Sequence, residues 1–297
     1  MLSLSALSRL AQAHAAVLDL PVAPVLIGHR VYGPEEPVIM GALNLSREST
    51  YRASIATSID DAIRKGRIMS AQGAALIDVG AESTTARASR VPPAEQAEAL
   101  VPVIKGLVAE GIDVSVESYE TDVVRAGLEA GATVVNLTGS EHETEILSIA
   151  AEHEATVIVN YVRGANVREI ADVTLDTDPI PGLLEHFRIR LDHASAAGVS
   201  RVVIDPGMGF YYGNLTDPAT RARHQARVLL HSFRLRELGV PICQALPHAF
   251  DIFGDEYRTA EAFFATLAFL GGTSVYRTHE VPRVRVVLDS MASLSAR

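Results

Sequence analysis

Short apolar runs in this chain repeatedly end on a residue that can hold a proton or a hydrogen bond. Val38–Leu43 leads to Asn44. Ala75–Val79 contains Asp78 and leads to Glu82-Ser83-Thr84, and Asp113–Val116 leads to Glu117. Thr133–Asn136 closes on Asn136, Thr156–Asn160 on Asn160-Tyr161, and Arg201–Ile204 on Asp205. Pro241–Ala245 carries Gln244, and Ser274–Arg277 closes on Arg277 with His279 just beyond. One Asn or Asp after such a run caps the next helix or makes an Asx turn as readily as it binds a ligand. Recurrence after successive runs points to a shared site. The residue types divide in two. Glu117, Asn136 and Asp205 offer carboxylate and amide groups, which suit a planar heterocycle with an amidine-like donor edge. Asn44, Thr84, Arg277 and His279 offer donors, which suit a phosphate or a carboxylate. A donor-rich heterocycle attached to an anion fits both halves.

These residues need a scaffold that gathers strand ends. Between the apolar runs lie amphipathic stretches: Ser58–Gln72, Pro93–Ala109, Thr121–Ala130, Glu143–His153, Leu183–Ala197, Ala219–Glu237, Thr259–Leu270 and Pro282–Met291. Strands that are apolar at nearly every position belong to a parallel sheet covered by helices. About eight such units close most simply as an α/β (β/α)8 TIM barrel, whose chemistry sits at the C-terminal ends of the strands. A doubly wound sheet is the weaker reading, because no GxGxxG follows the first strand. Pro24–Pro37, with Gly33-Pro34 between two apolar runs, predicts a hairpin capping the barrel floor. Residues 1–23 are read as an N-terminal helix or tail, and 24–297 as one barrel. The polar stretch Arg163–Pro181 is expected as a long loop at the active face.

Composition removes other classes. The 297 residues carry a net charge of −10 and no basic stripe, which argues against nucleic-acid binding and against an anionic membrane surface. No apolar run reaches the ~18 residues of a membrane span. Met1–Leu20 lacks the pattern of a signal peptide, so the expected compartment is the cytoplasm. The single cysteine, Cys243, excludes an internal disulfide and any CxxC site, and its apolar setting predicts a buried, inert thiol. There is no HxH or HExxH spacing, which argues against a zinc site. His142, His153, His186 and His193 are expected on helix surfaces. The arginines of Arg221–Arg236 are expected on a solvated face.

In order along the chain, the motifs resemble the dihydropteroate synthase family. Met40-Gly41-Ala42-Leu43-Asn44 is similar to its "MGxLN", and Ile77–Thr84 to its "IDVGGEST". Val114–Tyr119 with Ala130-Gly131-Ala132 is similar to "SVDTY … AGA", and Val135-Asn136 to the start of "INDVSG". Ile204–Phe210 is similar to "DPGxGF", and Arg277–Val281 to "RVHDV". The resemblance implies a TIM barrel, a reduced pterin or tetrahydrofolate derivative as ligand, and a homodimer. It implies pterin contacts at Asn136, Asp205 and Glu117, the last at the family's aspartate position, and the strand-end reading adds Gln244 as a pterin contact. It implies diphosphate contacts at Asn44, Thr84, Arg277 and His279, with Mg2+ reaching Asn44 through the diphosphate. Tyr161, Phe210 and His248 are candidate accessory residues.

The departures are specific. The family's "SRK" on the seventh strand is replaced by Gln244–Phe250, which has no lysine or arginine. Its first-loop "TPDSFSDGG" is Ser46–Ser54 here, the "STRPG" arginine position holds Thr85, and Tyr211-Tyr212 replaces "GK". The expected function is a dihydropteroate-synthase-like transferase on a reduced pterin diphosphate with a different acceptor. A tetrahydrofolate-dependent one-carbon transferase and a non-catalytic pterin-binding protein are the alternatives.

Overall fold

The computed structural model describes residues 2–46, 56–83, 88–169, 178–210 and 215–295. Two short helices, Leu4–Ala13 (α1) and Ala15–Leu18 (α2), precede an antiparallel hairpin of Val25–Ile27 (β1) and Arg30–Tyr32 (β2). The hairpin turns at Gly28-His29, where Gly28 holds φ +55°, and not at Gly33-Pro34. The Gly33 amide is instead tied to the Glu36 carboxylate at 2.7 Å, on the way into the barrel.

Eight parallel strands follow: Val38–Asn44 (β3), Leu76–Gly80 (β4), Val114–Ser118 (β5), Val134–Leu137 (β6), Thr156–Asn160 (β7), Val202–Asp205 (β8), Cys243–Ala245 (β9) and Val275–Thr278 (β10). Their hydrogen-bonded order is β8-β7-β6-β5-β4-β3-β10-β9. The ends of this order meet at Ile204 and Ile242, where the Ile204 amide donates to the Pro241 carbonyl at 3.0 Å. The sheet thus comes round on itself as the (β/α)8 barrel that the alternating pattern predicts.

The helices are Ile59–Ala71 (α3), Pro93–Val108 (α4), Thr121–Glu129 (α5), Glu143–Glu152 (α6), Ile180–Ala196 (α7), Pro218–His231 (α8), the single turn Phe250–Phe253 (α9), Ala260–Leu270 (α10) and Val281–Ser295 (α11). Local chemistry sets their ends. The Ser58 hydroxyl accepts from the Asp61 amide and starts α3, and the Asp217 carboxylate accepts from the Thr220 amide and starts α8. The stretch expected as one helix to Glu237 changes at Ser232 into a 3-10 turn, Ser232–Leu238, which Gly239 ends at φ +70°.

Strand alternation divides the core. Val38, Met40, Leu76, Val134, Ile158, Val203, Cys243 and Val275 fill the barrel interior, where Val25 and Ile27 of the hairpin join them. Ile39, Ile77, Val116, Val135, Val157 and Ile204 face the helices. The hairpin closes the N-terminal end, where the Thr156 hydroxyl donates to the Leu26 carbonyl at 2.6 Å. The C-terminal end of the strands is left as the mouth. No helix among the described residues is long and apolar enough to cross a membrane.

Candidate active site

The mouth holds a cavity of about 450 Å³, within the size range of small-molecule sites. Its floor is built by strand register, which sets Gly80 opposite Glu117, Glu117 opposite Asn136, and Asn160 opposite Asp205. A Cβ at Gly80 would lie 2.7 Å from Glu117 Oε2, so a larger residue there would displace that carboxylate. The side chains interlock. Asp78 Oδ2 accepts from Arg277 Nε at 2.7 Å and from Asn136 Nδ2 at 3.0 Å. Asn136 Oδ1 accepts from Asn160 Nδ2 at 2.7 Å, and Arg277 Nη2 donates to Glu117 Oε2 at 2.8 Å. One guanidinium therefore serves two carboxylates.

Burial shapes the acidity of this floor. It pushes Glu117 up to about 7; Arg277 opposes the rise and the Asp78 charge adds to it. Burial also pushes Asp205 up to about 6, against the Gly207 amide, the Cys243 thiol, Arg277 and the Ala245 amide. Burial works against the Arg277 charge, but Glu117 and Asp78 keep its pKa above the ordinary guanidinium value. The floor therefore offers two carboxyls that change protonation near neutrality, beside an amide donor and a fixed cation. A heterocycle presenting N–H groups can be held there and can exchange protons.

The opposite wall comes from later elements. Ala245, Leu246, Pro247 and His248 continue from β9 along the cavity, and His279 follows β10. Behind them Glu261, in the first turn of α10, is 1% exposed. It faces both His248 and His279. Burial opposes its ionisation, but the two histidines hold the carboxyl well below the usual range. Burial also lowers the His279 pKa, partly offset by Glu261.

Of the sequence-predicted residues, Asn44, Glu117, Asn136, Asp205, Phe210, His248, Arg277 and His279 line the cavity together. Thr84 lies outside the described residues, as do Thr85, Tyr211-Tyr212 and most of Ser46–Ser54. Two expectations need correction. Gln244 points out of the barrel and donates to the Ser232 hydroxyl at 2.7 Å. Alternation on β9 puts Cys243 and Ala245 on the inner side and Gln244 between them on the helix side. Tyr161 also leaves the mouth, packing edge-on to His186 with ring centroids 4.8 Å apart; the residue facing the cavity is Asn160. His186 is accordingly half-buried and not on the surface, and burial lowers its pKa to about 4. Cys243 is buried and unbridged, as expected.

Other features of the cavity were given no role from the sequence, although Asp78 and Glu82 stood among the strand-end residues. Asp78 was visible on its strand, but its partnership with Arg277 was not. Glu82 lines the cavity and accepts from the Val91 amide at 3.0 Å and the Tyr119 hydroxyl at 2.5 Å. Arg221 leaves the expected solvated face to meet Asp251 at 2.7 Å, and both line the cavity. Glu261 carried one signal, an acid near the start of the otherwise apolar Ala260–Leu270 helix.

The geometry agrees with comparisons to known proteins. The profile of the pterin binding enzyme family matches residues 40–279. Dihydropteroate synthase of Synechocystis sp. is 31% identical over 276 residues, covering 88% of this chain and 90% of the relative. That of Mycobacterium leprae is 31% identical over 274 residues, covering 87% and 92%. Among solved structures, Xanthomonas albilineans dihydropteroate synthase with 4-aminobenzoic acid superposes with a TM-score of 0.77 at 25% identity, covering 93% of this chain and 99% of that one. With its barrel closed, its acid–amide floor in place and the profile spanning β3 to the end of β10, this chain belongs to the pterin-binding enzyme family.

Proposed function

We propose that the chain is a transferase that joins the methylene carbon of a reduced pterin diphosphate to an acceptor other than 4-aminobenzoate. In this reaction the bond from that carbon to the diphosphate oxygen breaks. A bond to the acceptor nucleophile forms, and the acceptor gives up a proton. The observation that carries the reading is the contrast within one cavity. The floor of Asp78, Glu117, Asn136 and Asp205 is complete, while the acceptor wall Ala245-Leu246-Pro247-His248 has no fixed cation.

The roles follow from the chemistry. Glu117 and Asp205 grip N–H groups on the ring, and Asn136 complements them with its amide. Asn44 and His279 face the leaving diphosphate. Asn44 would offer a hard oxygen to Mg2+ carried by the diphosphate, and such an ion would supply positive charge to the leaving group. Catalysis then rests on positioning and on charge stabilisation at the leaving group. A carboxylate-bearing arylamine meets no lysine or arginine between Gln244 and Phe250, so an acceptor with an apolar body fits this wall better.

A second reading, one-carbon transfer from a tetrahydrofolate, draws on one observation. Arg277 is engaged by two carboxylates, which weakens its pull on a diphosphate. Calorimetry separates the two. Tight binding of the pterin diphosphate with Mg2+, and release of diphosphate with an amine panel but not with 4-aminobenzoate, supports the first. Binding of methyl- or methylene-tetrahydrofolate in preference to the diphosphate replaces it with the second. Tight pterin binding with no turnover of any offered acceptor leaves a non-catalytic pterin-binding protein.

A further inference from the structure

His248, Glu261 and His279 come from separate elements: the turn after β9, the start of α10 and the residue after β10. Glu261 Oε1 lies 3.0 Å from His248 Nδ1 and 3.1 Å from His279 Nδ1. Its other oxygen, Oε2, accepts from the backbone amides of His279 at 2.9 Å and Glu280 at 3.2 Å, and from the Thr278 hydroxyl. The carboxylate is anchored by one oxygen and presents the other to two imidazoles. Ligand atoms from all three residues lie within 4.8 Å of one another.

We propose that His248, Glu261 and His279 form a binding site for one divalent transition-metal ion, distinct from the Mg2+ carried by a diphosphate. Three features point to it. The first is spacing. Zn–N and Zn–O bonds of about 2.0–2.2 Å in tetrahedral geometry set ligand atoms roughly 3.3 Å apart; the two Nδ1···Oε1 separations are slightly shorter, and all the ligand atoms lie within 4.8 Å of one another. The second is donor type. Two imidazoles with one carboxylate suit Zn2+ or Fe2+, whereas Mg2+ takes oxygen ligands. The third is support. Ligating carboxylates are characteristically held by further hydrogen bonds, and the anchoring of Glu261 Oε2 supplies them.

His248 and His279 both line the cavity. Three protein ligands leave a coordination position for water or substrate, the arrangement of catalytic and not purely structural sites. The ion would place positive charge on the wall that Gln244–Phe250 leaves without lysine or arginine. The absence of an HxH motif does not weigh against this site, because the barrel and not local spacing brings its ligands together.

The inference does not depend on the transferase reading, and its test uses no pterin. The full-length chain, without a histidine tag, is stripped with chelator and titrated calorimetrically with Zn2+ and with Co2+. Metal content after dialysis and the visible d–d bands of Co2+ are read alongside. One ion per chain, with Co2+ bands showing nitrogen ligation, is the expected result. His248→Ala, on a partly exposed turn, should weaken binding by at least the 10–100-fold lost on changing outer-shell partners. Glu261→Gln should do the same while keeping its shape, and the exposed His153→Ala should bind like the parent. Absence of stoichiometric binding, or unchanged affinity in folded His248→Ala, overturns the site. Reduced-pterin binding to the metal-free chain is measured separately. A chain that takes one ion but no pterin overturns the transferase reading alone, and a chain that takes the pterin but no ion overturns the metal site alone.

Discussion

The floor and the wall of the mouth hold their charges in opposite ways. On the floor, Asp78, Glu117, Asn136, Asn160 and Asp205 all sit on strands, so ladder register places them, and one Arg277 serves two acids. On the wall, one acid, Glu261, serves two histidines, and turns and a helix place all three. The floor is short of positive charge and keeps its carboxyls prone to protonation. The wall is rich in donors and keeps its carboxyl ionised. A site built this way can hold a donor-rich ring on one side and an anion or cationic centre on the other.

The largest break in this contrast comes from removing the floor's cation. Arg277→Met leaves Asp78 and Glu117 facing each other with little solvent. Breaking a buried ion pair from one side costs about 3–5 kcal/mol, and the urea midpoint should fall accordingly. Asp78→Asn in the same background should recover part of the loss, since it removes one of the stranded charges. If Arg277→Met is as stable as the parent, the two carboxylates do not rely on that guanidinium.

Next in size is the pH dependence of stability, where the two regions have opposite signs. Glu117 has a native pKa of about 7 against an ordinary 4.5, so the native state binds more protons than the unfolded state between those values. Its contribution is fully present below about pH 4.5 and is lost as pH rises through 7, by up to about 3 kcal/mol for a shift of this size. Asp205 acts in the same direction, between 3.8 and about 6. Glu261 acts in reverse: its lowered pKa contributes stability above 4.5 that is lost as the solution becomes more acidic. Urea unfolding of the unliganded chain across this range should show Glu117→Gln flattening the decline towards pH 7. Glu261→Gln should flatten only the acid limb. Parallel profiles for the two variants would erase the distinction between floor and wall.

A smaller effect is expected on ligand binding. Glu117→Gln keeps the size of the side chain but removes a charged acceptor, a change worth about 1.5–3 kcal/mol, or roughly 10–100-fold in affinity for a reduced pterin. Parent affinity should also rise with pH through 7 as Glu117 ionises, and the variant should lack that rise. Equal affinities at pH 8 would remove Glu117 from the ring contacts.

How much of this was legible in sequence follows the same division. The barrel and its floor were readable because a strand fixes its residues by period and register; Asn44, Glu117, Asn136 and Asp205 emerged from the ends of apolar runs. The ion pair between Asp78 and Arg277 joins residues 199 positions apart, and no local pattern carries it. Glu261 was hidden for a related reason. Helical periodicity shows an acid on an apolar helix but not the two imidazoles that the barrel brings to it. The hairpin was expected, but its turn moved to Gly28-His29, where the positive φ suits glycine.

The smallest expected effect tests the most local error. As the polar residue of the run Pro241–Ala245, Gln244 is expected in the mouth, yet alternation along β9 turns it outward. Its amide donates to the Ser232 hydroxyl, which itself donates to the Val228 carbonyl at 2.6 Å. Gln244→Met fills similar space and removes one neutral hydrogen bond, a loss of about 0.5–1.5 kcal/mol. The Gln244 carbonyl oxygen is buried with no hydrogen-bond partner among the described residues, so removing it offsets part of that loss. The net change in stability should therefore fall below about 1 kcal/mol, and affinity for a reduced pterin should stay within about twofold of the parent. A loss of binding as large as that of Glu117→Gln would mean that β9 presents its other face to the ligand. The register of the wall, and with it the approach of His248 to Glu261, would then have to be redrawn.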